Sequence, residues 1–196
     1  MRTLLVVLVV CSVSAAVAAA QTLSDDDVIA AASAPLPPEY RDGAEVRAWT
    51  NDGNLDVLRE GTNAMVCLAD QPNDDRFHAA CYHESLEPFM ARGRELKAEG
   101  LSRDDVQAAR EEEIQSATLP MPDHPAVLYS LTGPAASYDA ATKEVVGASP
   151  LYVVYIPYAT AETTGLPESA PRGQPWLMNP GKPWAHIMLI PEERGN

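Results

Sequence analysis

The residues best suited to chemistry lie near the C-terminal end of the chain. His186 and Met188 stand two apart in the apolar run 185–190, and alternate residues of a strand share a face. An imidazole and a thioether on one face are soft ligands that suit Cu(I). The competing reading makes Met188 core filler and His186 a hydrogen-bonded edge residue. Met121, Asp123 and His124 form a second cluster of potential ligands. Ser130 offers a hydroxyl nucleophile if its strand neighbours that of His186. A hydrolase-type or metal-dependent enzyme using His186, with His124 or Ser130, is therefore one expectation, although the sequence holds no G-x-S-x-G elbow.

The other ionisable residues fit structural roles better. None of the four histidines has a partner histidine at the i, i+4 spacing of zinc helices. His78 and His83 are five apart, about 140° around a helix, and do not share a face. His83 and Glu87 are four apart, with Ser85 and Pro88 interrupting the helix between them. The aspartates at 25–27 and 74–75 match no calcium loop and complement helix starts instead. The sequence thus assigns no catalytic residue, no metal and no cofactor.

The last third gathers Tyr152, Tyr155, Tyr158, Trp176 and Trp184 beside a Pro- and Gly-rich segment at 157–183. Amphipathic rings next to a long loop suit a binding surface for a peptide, glycan or apolar ligand. The expected site, where that loop meets the strand of His186, comprises His186, Met188, Trp184, Trp176 and Tyr155. The alternative places Tyr152 and Tyr155 on opposite faces of a strand and uses the tryptophans to cap the core.

The elements that must position these groups follow from pattern. Ser24 before Asp25-Asp26-Asp27 starts a helix, stopped by the prolines at 35, 37 and 38, an extended linker that would leave it a loose arm. Residues 44–50, 55–59 and 64–69 read as a small antiparallel meander, its first turn at Asp52-Gly53. A helical middle follows: a short helix over 77–85 carrying Cys81, a second capped by Ser85 with Pro88 in its first turn and Gly100 at its end, and a third capped by Ser102. Residues 126–131, 151–156 and 185–190 give three further strands, with a helical turn near 139–143. The order predicts an α+β fold: residues 1–20 as a leader, 21–43 as helix and linker, 44–196 as one domain.

Composition sets the surroundings. Twenty-eight acidic residues against 14 basic ones give a formal net charge of −14, which disfavours nucleic acid and anionic lipid. Arg2, the apolar stretch to Val10 and the small residues ending at Ala20 have the layout of a secretory signal peptide cleaved near Ala20. Lipidation at Cys11 is disfavoured because Val10 is not small. The mature chain then has no membrane span and keeps Cys67 and Cys81, an even pair that reads as a disulfide in an exported protein. Two buried free thiols are the competing reading.

Three stretches carry a resemblance. They are Leu58-Arg59-Glu60-Gly61-Thr62-Asn63 leading to Cys67-Leu68-Ala69-Asp70, then Cys81, then Tyr129-Ser130-Leu131-Thr132-Gly133 with Ala185-His186-Ile187-Met188-Leu189. Together they resemble a family of uncharacterised secreted bacterial proteins with a "REG-N" block followed by two cysteines, a "YML.G" block and a terminal "PHVMI" strand. Here Ala64-Met65-Val66 replaces a Gly-Trp-Thr region, and Ala185 stands where Pro is common. The resemblance implies export, two cysteines and a compact α+β domain, and no activity. The expectation is a secreted or periplasmic non-catalytic binding domain for an envelope protein, a glycan or a small ligand. The alternatives are the enzyme above or a copper binder through His186 and Met188.

Overall fold

The computed structural model describes residues 23–72, 75–170 and 173–191. The leader at 1–20, its cleavage point at Ala20, Cys11 and Asp74 lie outside the described residues. Ser24 caps helix α1 (Asp25–Ser33): its Oγ accepts from the Asp27 amide at 3.2 Å, and the Asp27 carboxylate answers the Ser24 amide. The helix is not a loose arm. Ala31, Ala32 and Ser33 are buried, Leu36 is 1% exposed, and Arg41 of α2 (Pro38–Arg41) donates to the carbonyls of Leu36 and Ala34. The proline-rich stretch is therefore fixed to the fold.

Strands β1 (Glu45–Trp49) and β2 (Leu55–Arg59) form the expected hairpin, with Gly53 in the left-handed region at φ 82°. The meander is corrected at β3 (Met65–Leu68), which runs parallel to β1 on the side away from β2. The link from β2 passes across the entry to β1, where the amides of Thr62 and Asn63 both donate to the Gly43 carbonyl. A Cβ on Gly61 would approach the Glu45 amide nitrogen to 2.9 Å, so glycine permits the crossing.

The expected helix over 77–85 is corrected to strand β4 (Arg76–His83). Phe77, Ala79 and Cys81 are buried while Arg76 and His78 between them are exposed, the alternation of a strand. In this register Cys67 lies opposite Cys81, and the two are joined by a disulfide. A 3₁₀ turn (Glu84–Leu86) then leads into α3 (Glu87–Ala98) and α4 (Arg103–Gln115), with Pro88, Gly100 and Ser102 in the expected places. After β5 (Ala126–Pro134) the expected helical turn is a small hairpin, β6 (Tyr138–Asp139) with β7 (Glu144–Val145), turning through Lys143 at φ 58°. β8 (Ser149–Tyr155), α5 (Ala161–Thr164), β9 (Trp176–Met178) and β10 (His186–Leu189) complete the order, so the segment 157–183 is not simply a loop.

The fold is α+β. One mixed eight-stranded sheet in the order β2-β1-β3-β4-β5-β8-β10-β9 carries α1 on one face and α3–α4 on the other. The α1 face buries Val46, Met65, Cys67 and Cys81 against Ala32 and Leu36. The opposite face buries Val66, Tyr82, Val153 and Tyr155 against Leu86, Phe89 and Trp184. Between α3 and α4, Gly93 leaves room for the Arg110 guanidinium, which lies 3.9 Å over the Phe89 ring and donates to the Phe89 carbonyl.

A carboxylate fastens α3 to the sheet. Glu87 accepts from Arg47 of β1, from the Tyr82 hydroxyl of β4 and, at 2.7 Å, from Arg94 of its own helix. All these groups are mostly shielded, the charged side chains being 20–26% exposed. Removing the acceptor strands two cations and a phenol together. Glu87→Ala is expected to lower stability by about 2–3 kcal/mol in urea titrations. Glu45→Ala, which frees one contact to Arg47, is expected to cost under about 1 kcal/mol. Equal losses would show that Glu87 does not organise the cluster.

Candidate functional site

The aromatic residues expected at the binding surface divide by burial. Trp184 is 4% exposed and stacks on Phe89 with ring centroids 5.9 Å apart; Tyr155 meets the same ring edge-on at 6.3 Å. Trp176 is also buried, on the edge strand β9. These three rings build the floor and wall of the C-terminal half rather than its surface. Tyr152 and Tyr158 are exposed, and Tyr152 packs edge-on to Tyr129 on the α1 face.

His186 and Met188 share a face of β10, as their spacing requires. Across β8 they oppose Tyr155 and Val153, and across β9 they oppose Met178 and Trp176. His186 Nδ1 donates to the Trp184 carbonyl at 2.8 Å, and its ring tilts against Tyr155 with centroids 5.1 Å apart. Burial pulls the imidazole below its ordinary proton affinity, so the ring is neutral at neutral pH. Met178 was not singled out in the sequence because β9 lay hidden in the long Pro-rich segment.

The pairing of Ser130 with His186 is not assembled by this fold. Ser130 is 5% exposed and pairs with Leu151, whereas His186 pairs with Tyr155. The two therefore lie two strands and four residues apart, roughly 16 Å from strand spacing and rise. His83 does not work with Glu87: its Nδ1 accepts from the Ser85 amide and caps the 3₁₀ turn, while Glu87 is committed to Arg47, Tyr82 and Arg94. Among the described residues no group of three or more His, Cys, Asp and Glu side chains could hold a metal ion.

An open groove of about 480 Å³ lies where the segment after β8 passes the residues before β5. Asp123, His124, Ile156, Tyr158, Thr163 and Thr164 are among its lining residues. His124 Nδ1 is 3.1 Å from Asp123, whose carboxyl is held below its ordinary range chiefly by that contact. The Tyr158 backbone is left-handed at φ 63° and the residue is 59% exposed. Its amide donates to the Lys182 carbonyl at 2.9 Å, and Gly181 donates back to Ala159 at 2.8 Å, so the two ends of the 157–183 segment are laced together. A bulky residue in that region costs about 1–3 kcal/mol and persists only where the surroundings enforce it. Met121 packs against the core instead of joining Asp123 and His124. No protein-family model, curated protein or solved structure matches the chain.

Proposed function

We propose that this chain is an exported, non-catalytic binding domain that takes a glycan in the groove beside Tyr158. The observation carrying the reading is Tyr158 itself, an exposed ring held on a left-handed backbone at the mouth of a groove. A strained residue retained without core packing points to use of its side chain. An aromatic face with carboxylate, imidazole and hydroxyl groups nearby matches the mixed apolar and hydroxylated surface of a sugar. Export is supported by the leader-like residues 1–20 and by the Cys67–Cys81 disulfide. The resemblance to secreted bacterial proteins agrees with it.

The test is binding of the purified mature chain to an array of bacterial envelope polysaccharides, with Tyr158→Gly beside it. Glycine accepts the left-handed backbone freely, so that variant is expected to be more stable by about 1 kcal/mol while binding falls at least tenfold. Retention of binding by Tyr158→Gly, or no binding of the parent chain to any polysaccharide, overturns the reading.

A further inference from the structure

The last two strands of the sheet bring soft side chains together in a way that the linear sequence conceals. His186 stands directly opposite Met178, and Met188 directly opposite Trp176. Alternate residues share a face, so all four project from the same side of β9–β10. Directly opposed Cβ atoms lie about 4.5–5.5 Å apart and diagonal ones about 7–8 Å. That span is within reach of two flexible thioether side chains and an imidazole.

The imidazole is already set up as a ligand. Its Nδ1–H is spent on the Trp184 carbonyl, which fixes the tautomer and leaves Nε2 with a lone pair able to bind a metal. No hydrogen bond engages Nε2 among the described residues. Met178, His186 and Met188 are all half-buried, neither sealed in the core nor fully in water, while Trp176 is buried beside them.

We propose that β9–β10 binds one Cu(I) ion through Nε2 of His186 and the sulfurs of Met178 and Met188, with Trp176 walling the site from water. Two thioethers and one imidazole form a neutral, soft ligand set without a carboxylate, which selects Cu(I) over zinc, calcium and magnesium. Cys67 and Cys81 are bonded to each other and offer no competing thiolate. Binding adds a single positive charge to a strongly acidic protein, whose field favours cations. The ion enters as Cu(I) and stays Cu(I), so no electron or proton moves. This site is separate from the groove at Tyr158 and does not rest on it.

The deciding experiment is an anaerobic titration of the mature, disulfide-closed chain with Cu(I) alone, in competition with a chromophoric Cu(I) chelator. The expected result is one ion per chain, with affinity falling at least tenfold in each of Met178→Leu and Met188→Leu. His186→Gln is expected to weaken it at least as much, and Tyr158→Gly to leave it unchanged. Zinc(II) should fail to displace the ion at hundredfold excess. Leucine matches methionine in size, so the two leucine variants decide the matter even if His186→Gln disturbs folding. Failure to take up Cu(I), unchanged affinity in both leucine variants, or uptake abolished only by reducing and alkylating the cysteines overturns the proposal.

Discussion

Replacing Trp184 with alanine lowers the free energy of unfolding by about 3–5 kcal/mol, the range for a large aromatic removed from a packed interior. Trp184 is 4% exposed, stacks on Phe89 and shares its cluster with Tyr82, Leu86 and Tyr155. Its Nε1 is buried without a hydrogen-bond partner among the described residues, so phenylalanine sacrifices no polar contact there. Trp184→Phe should therefore cost only about 1–2 kcal/mol, mostly for lost volume. Urea titrations of the two variants against the parent chain give both numbers. A cost for alanine below about 1 kcal/mol would return Trp184 to the surface role that its neighbourhood in the sequence invites.

Removing the disulfide by Cys67→Ala with Cys81→Ala is expected to cost about 3 kcal/mol, because a bridge between residues 14 apart restricts the unfolded chain. Both residues are fully buried between the sheet and α1, so exchange with alanine adds a packing loss to the entropic one. The parent chain, unfolded and reduced, should show a smaller fall in midpoint than the double variant, the difference being the packing loss. A midpoint unmoved by reduction would mean that the bridge does not span the cooperative unit, and would remove one support for export.

Local signals read correctly where a single physical cause dominated. Ser24, Ser102 and Pro88 mark helix starts because amide satisfaction is a short-range matter, and Asp52-Gly53 marks its hairpin because the turn demands a positive φ. The errors arose where long-range pairing decided. In 76–83 the two consecutive alanines blurred the alternation, and the aspartates ahead of Phe77 imitated a helix start. Only the pairing with β3 and β5 makes that stretch a strand. The parallel alignment of β1 with β3 depends on a glycine crossing that leaves no periodic trace. Strand β9 is three residues within a Pro- and Gly-rich stretch, so the partner facing His186 was invisible. The sharing of one face by His186 and Met188 was legible; the presence of Met178 beside them was not. The Glu87 cluster was equally hidden, since it joins residues 40 positions apart.

Among the described residues the eight-stranded sheet is open, which leaves β2 and β9 with unpaired flanks where a second molecule could add itself as a strand. The two margins are guarded differently. β9 is short, and its Leu177 amide is already taken by the Pro167 carbonyl, so little backbone remains to recruit a neighbour. β2 is longer and carries Asp56 and Arg59 along with an exposed Val57. There the net charge of −14 does the guarding, by keeping like-charged copies apart. Colloidal behaviour is thus tied to ionic strength and acidity: concentrated salt, or a pH near the pI of about 4.5, lifts the mutual repulsion and exposes β2 as the margin at which self-association begins.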